Sequence, residues 1–308
     1  MNRGISERLP LATVVRPGVG SRVRALCENF SELSKARLSS MVLVTTLVGF
    51  VAGNQGSIDL LRLFATLAGT ASCAAGASAL NQWWERDLDL RMRRTRDRPL
   101  PAGRVLPGDV LLLGIFLVLL GVGLLVFFTN IRAAFLAFAT AAIYVVVYTP
   151  LKTMTTLNTP VGAIPGALPP LIGWVAARGS YQLEGCLLFA ILWFWQMPHF
   201  LAIAWIYRDD YEKAGFRMLS GRDSTGLHTA WQSLLYLVCL VAVSLLPAIA
   251  GFNSTAYLWG AALLGAGFAW FAMAFLGDRS RARARALFLF SVAYLPALLA
   301  LLAFTRRA

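Results

Sequence analysis

The sequence predicts an all-α integral membrane protein, a bundle of nine transmembrane helices, on three observations. Of its 308 residues, 58% are hydrophobic and only 14% charged, with a mean hydropathy of +0.65; soluble domains carry about a quarter charged residues. Several apolar runs reach the ~20 residues needed to cross about 30 Å of hydrocarbon. Val110 to Phe128, Leu234 to Phe252 and Ala256 to Leu276 hold no charge at all. Lysine and arginine, finally, gather in alternate loops between the runs.

Taken in order, residues 1–36 form a polar, basic tail that is expected to be partly disordered. Pro10, Pro17, Gly18 and Gly20 mark its first twenty residues as mobile, and Val23 to Leu38 reads as an amphipathic surface helix. No short apolar signal segment follows the start. The spans lie near 37–54, 62–82, 108–128, 132–149, 160–177, 185–206, 229–250, 255–276 and 286–304. They make one domain over 37–304, with no room for a soluble domain between them. Span 160–177 differs from the rest, because Pro160, Pro165, Pro169 and Pro170 interleave with Gly162, Gly166 and Gly173. Proline removes a backbone donor, and such a segment is tolerated in a bilayer where protein or a wet cavity satisfies the freed groups. It is either a plain kinked span or the lining of a central cavity.

Orientation follows from basic residues in the loops. With the N-terminus in the cytoplasm, only Arg62, Arg132, Arg178, Arg306 and Arg307 of the 28 lysines and arginines fall outside. The C-terminus then lies on the opposite side, and the two long charged loops, 83–107 and 207–228, share the cytoplasmic face. The net charge of +13 is thereby spent beside membrane runs, which favours membrane lipids and an anionic substrate over nucleic acid. Cys27, Cys73, Cys186 and Cys239 are far apart and form no CxxC pair, so they read as small buried hydrophobes.

Chemistry concentrates where span 62–82 leaves the membrane. Asn81, Glu85 and Asp89 recur every fourth residue and form one polar stripe on a helix. Carboxylates at that spacing suit Mg²⁺, which binds one or two of them together with substrate phosphates. Arg86, Arg91, Arg93, Arg94, Arg96 and Arg98 follow and offer forked donors for phosphate oxygens. The competing reading is a positive-inside loop whose acids offset its arginines. Yet four of the chain's fifteen acids (Glu85, Asp87, Asp89 and Asp97) stand here, and positive-inside loops need none.

Three further segments stand out. Asp209 and Asp210, after span 185–206, could complete a second metal site or simply end a charged helix. Lys152, in Tyr148-Thr149-Pro150-Leu151-Lys152, is a snorkelling anchor or points at the mouth of the cavity. His199, in WQMPHF at 195–200, lies inside a span, where an ionisable group is a functional hypothesis by default. It could ligate iron, hydrogen-bond a substrate or pack.

Metal and cations at one membrane face, next to an apolar interior, suit an allylic diphosphate. Its head wants Mg²⁺ and arginine, its tail wants lipid, and the allylic cation left by ionisation needs a water-poor aromatic pocket. The stripe running into RTRDRPLPAGR at 94–104 resembles the first motif of intramembrane aromatic prenyltransferases. WQMPHF, RDDYEKAGFRML at 208–219, YTPLKTMTTLN at 148–158 and GALPPLIGW at 166–174 narrow the resemblance to the protohaem IX farnesyltransferase (haem O synthase) family over about residues 35–300.

The resemblance implies a nine-helix bundle with a central cavity open to the cytoplasm, in a bacterial inner membrane. It implies farnesyl diphosphate and haem b as substrates, haem O as product and Mg²⁺ as cofactor, with a haem A synthase or an oxidase assembly protein as partner. By the family pattern Asn81, Glu85, Asp89, Asp209 and Asp210 are catalytic. Glu85, Asp89 and Asp210 hold metal, and Arg86, Arg94, Arg98, Lys152 and His199 contact substrate. Quinone-type relatives carry DxxxD in the second site, whereas Lys213 and Ala214 stand four residues after Asp209 and Asp210 here. Transfer to a quinone precursor or to chlorophyllide is the alternative reaction, and a haem transporter the non-enzymatic one.

Overall fold

The computed structural model describes residues 19–307, so most of the tail expected to be mobile lies outside the described residues. Those residues are helical, apart from loops and one isolated bridge between Asn253 and Arg306. Helix α1 (Val19–Leu33) corresponds to the expected surface helix, four residues earlier than its predicted start. Helix α2 (Ala36–Gly53) follows after a sharp break at Lys35, whose φ of 47° and ψ of 53° are left-handed. That conformation costs a side-chain-bearing residue about 1–2 kcal/mol.

Among the described residues, eight helical segments are long and apolar enough to span a membrane. They are α3 (Leu60–Asp89), α4 (Pro107–Phe128), the continuous stretch Ile131–Met154, α7 (Asn158–Arg178), α8 (Leu183–Ile206), α11 (Leu227–Ile249), α12 (Thr255–Gly277) and α13 (Arg281–Phe304). The stretch Ile131–Met154 comprises α5 (Ile131–Ala142), a π-helical turn over Ile143–Tyr148 and α6 (Thr149–Met154). The remaining expected span falls on α2, whose apolar part, Ser39–Gly53, is shorter. Two short helices, α9 (Arg208–Lys213) and α10 (Leu219–Arg222), lie in the second long loop.

Helix α7 is the hub. It packs against α2, α3, α5 and α8, and its apolar window is 72% buried, more than in any other candidate span. Pro165, Pro169 and Pro170 sit inside it without ending it, as expected where neighbouring helices surround the freed backbone. One flank is the run α3, α4, α5; the other is α8, α11, α12, α13. Helices α3 and α4 meet through small residues. A Cβ added at Gly76 would lie 2.6 Å from Gly114 O, and one at Gly121 would lie 2.4 Å from Gly69 O. Backbones this close gain dispersion contact that bulky side chains would forbid.

Candidate active site

Helix α3 does not stop at residue 82 but continues to Asp89, two turns beyond the predicted span. Those turns carry the polar stripe. Asn81, Glu85 and Asp89 are 0%, 3% and 2% exposed, while the Asp87 side chain is 77% exposed, so one face of the helix turns inward. The chain after Asp89 is tied back by Thr95 Oγ1 donating to Asp89 O at 2.9 Å.

Lys152 approaches from α6. Its Nζ lies 2.8 Å from Glu85 Oε1 and donates to Oε2 at 3.1 Å. The Tyr148 ring lies under the same ammonium, 4.6 Å from its centroid. Pro150 cannot donate to the carbonyl of Val146, and the turn just before it is the π-helical one. That turn brings Tyr144 and Tyr148 side by side, 5.6 Å apart. Isolated π turns of this kind recur at functional sites. Arg98 Nη1 reaches Asp89 Oδ2 at 2.8 Å.

Glu85, Asp89, Lys152, Arg94 and Arg98 line one cavity of about 380 Å³, closed by Met92, Thr95, Tyr148, Tyr211, Phe216, Met218 and Lys35. The two long loops meet over it. Met92 packs with Ala214 and Phe216, and Arg94 lies 5.7 Å from the rings of both Tyr207 and Tyr211. Arg217 fastens the second loop to α6 by donating its backbone N–H to Lys152 O at 2.7 Å.

Lys35 is the charged lining residue that sequence reasoning missed. Its left-handed backbone turns the ammonium to Asn81 Oδ1 at 3.0 Å and to the Tyr144 hydroxyl at 3.3 Å. Asn81 itself stands behind the cavity wall. Its amide donates to Thr149 Oγ1 at 2.9 Å, and its carbonyl oxygen takes Lys35. The only sequence signal for Lys35 was a cation one turn before an apolar span, a pattern shared with ordinary lipid anchors.

The other expected residues lie elsewhere. Arg86 stacks on Trp83 and donates to its carbonyl. Asp209 is half exposed and accepts from Arg281 at 2.5 Å; this hydrogen bond, with the nearby charge of Arg208, holds its carboxyl below the usual range. Asp210 does not line the cavity. Among the described residues no three of His, Cys, Asp or Glu gather to hold a metal ion. His199 lies within α8, against Ser291.

Glu85 and Asp89 are nevertheless a donor pair that fits Mg²⁺, which takes one or two carboxylates and completes its shell with phosphate and water. Glu85 Oε1 is buried and meets Lys152 without hydrogen-bond geometry, so it keeps a lone pair for a hard cation. Set against these two acids, the cavity has four cations. Lys35 and Arg94 meet neutral partners, so their charge favours an anionic ligand.

Fold and site find their counterpart among known proteins. Residues 42–295 match the UbiA prenyltransferase family, and the chain belongs to that family of membrane prenyltransferases. Among curated relatives, the protoheme IX farnesyltransferase of Solibacter usitatus (strain Ellin6076) is 42% identical over 287 residues, covering 90% of this chain and 98% of that protein. Digeranylgeranylglyceryl phosphate synthase shares the fold with a TM-score of 0.79 at 18% identity, covering 92% of this chain and 98% of its own. A UbiA homologue from Archaeoglobus fulgidus, solved with DMAPP and Mg²⁺ bound, superposes with a TM-score of 0.66 at 14% identity over 89% of this chain and 99% of that one.

Proposed function

We propose that the protein transfers the farnesyl group of farnesyl diphosphate to a vinyl group of haem b, giving haem O and diphosphate. The observation that carries this reading is the 380 Å³ cavity, where two buried carboxylates and four cations face one another. The acceptor is taken from the 42% identical relative named protoheme IX farnesyltransferase.

In the reaction, the bond from the allylic carbon to the diphosphate oxygen breaks and its electron pair leaves with the diphosphate. The vinyl π electrons close on the allylic cation to make the new carbon–carbon bond. Water takes the cation left beside the porphyrin ring and loses a proton, which installs the hydroxyl.

Mg²⁺ held by Glu85 and Asp89 would neutralise charge on the departing diphosphate. Lys152, Arg98, Arg94 and Lys35 surround the same space and bind its oxygens as preorganised cations. Tyr148 presents its ring to the ammonium of Lys152 and also lines the cavity, where a π face favours cationic carbon. Phe216 and Met218 keep water from the allylic centre.

Replacing Asp89 with Asn tests the assignment. Product formation from farnesyl diphosphate and haem b should fall by about 10²–10³-fold, the scale of losing one preorganised electrostatic contact, while haem binding survives. Full activity in Asp89→Asn would remove the metal role from this stripe.

A further inference from the structure

The π-helical turn before Pro150 does more than set Tyr144 beside Tyr148. In it the Thr149 backbone N–H donates to Tyr144 O, five residues back. The Thr149 hydroxyl donates to the same oxygen at 2.9 Å. A threonine in a regular α-helix bonds the carbonyl three or four residues back; the wider turn brings the fifth within reach.

A threonine hydroxyl has one proton, and here Tyr144 O holds it. Toward Asn81 the Thr149 oxygen can therefore only accept. The Asn81 amide must present its NH₂ to Thr149, at 2.9 Å, and its carbonyl oxygen to the opposite side, where Lys35 Nζ donates at 3.0 Å. Asn81 and Thr149 are 0% and 2% exposed, so solvent does not compete for either group.

Lys35 thus uses two of its three ammonium donors, on Asn81 and on the Tyr144 hydroxyl at 3.3 Å. Both acceptors are neutral, and they hold a side chain that would otherwise sample many rotamers. The two carboxylates of the cavity are engaged elsewhere, Glu85 by Lys152 and Asp89 by Arg98. Lys35 lines the same cavity, with its charge uncompensated and a donor to give.

We propose that Thr149 is a positioning residue for the diphosphate substrate: through the fixed Asn81 amide it aims the Lys35 ammonium at the diphosphate oxygens. Asn81 accordingly serves Lys35, and its oxygen is not a ligand to the metal. The proposal rests on the allylic diphosphate named under the proposed function and not on the acceptor.

The test uses the full chain in detergent, titrated with farnesyl diphosphate in Mg²⁺ and in parallel with farnesol, which has the tail without the diphosphate. Thr149→Val keeps the shape and loses the hydroxyl. It is expected to weaken farnesyl diphosphate about tenfold, the scale of one hydrogen bond to a charged group. Farnesol affinity and the Mg²⁺ concentration for half-maximal binding should stay unchanged, and Thr149→Ser should bind as wild type. Lys35→Met should show at least the same loss. Adding Thr149→Val to it should cost nothing further, because both act on one contact. Should Thr149→Val lose its fold, Thr149→Ala takes its place in every arm.

Wild-type affinity for farnesyl diphosphate in a folded Thr149→Val would overturn the proposal. So would equal losses for farnesol, or losses that add in the double variant. A changed Mg²⁺ requirement in Thr149→Val would put the Asn81 oxygen on the metal and overturn it too. The expected binding pattern in a protein that farnesylates no haem would instead overturn the acceptor and leave the positioning role standing.

Discussion

Glu85 and Lys152 face each other with side-chain exposures of 4% and 16%, so neither charge is well solvated. Removing one partner of such a pair strands the other, at about 3–5 kcal/mol. Glu85→Gln is therefore expected to lower the melting temperature of the protein in detergent, and Glu85→Gln with Lys152→Met to recover most of that loss without recovering transfer. A double variant as unstable as the single one would contradict the pairing.

A second residue-scale expectation concerns Asp223, whose carboxylate accepts from Thr229 N at 2.8 Å and Thr229 Oγ1 at 2.9 Å. Burial raises its carboxyl, but the hydrogen bonds from Thr229 and Thr225 outweigh burial and hold it below the usual range. The stability it supplies is thus complete above the unfolded value of about 3.9 and is lost as pH falls through the lower folded value. Asp223→Asn should flatten that acid limb of the pH–stability curve; an unchanged limb would count against the hydrogen bonds.

At this scale the inward stripe was legible, because helical spacing alone separates Asn81, Glu85 and Asp89 from Asp87. Lys35 was not, because its site role depends on a left-handed backbone and on contacts 46 and 109 residues away. Nor could spacing foresee that Asp209 meets Arg281, 72 residues on.

Among the elements, the apolar runs were readable to within a few residues, since the bilayer sets their length. The polar turns of α3 to Asp89, where hydropathy falls, were readable instead from the four-residue spacing of Asn81, Glu85 and Asp89. The π-helical turn before Pro150 was hidden. The tight α3–α4 contact gives a prediction here. Gly121→Val must push against the backbone of Gly69 and Cys73 and should destabilise by about 1–3 kcal/mol or more. Thermal unfolding would show it, whereas Gly123→Val, with open space around it, should be close to neutral. Loss of stability in both would dissociate the effect from this interface.

For the whole molecule, the charge bias predicts that both long loops and α1 share the cytoplasmic side. Against the expectation that all four cysteines are buried, Cys27 on α1 and Cys186 near the far end of α8 are exposed, and only Cys73 is buried. In single-cysteine variants, an impermeant maleimide should label Cys186 but not Cys27 in right-side-out vesicles, and the reverse in inverted ones. Labelling of both from one side would contradict the orientation.

The central claim is the acceptor. Purified protein given farnesyl diphosphate, Mg²⁺ and an equimolar mixture of haem b, a hydroxybenzoate, a naphthoate and chlorophyllide should farnesylate haem b, read by mass spectrometry of the products. Unchanged haem beside a prenylated quinone precursor or chlorophyllide would contradict it.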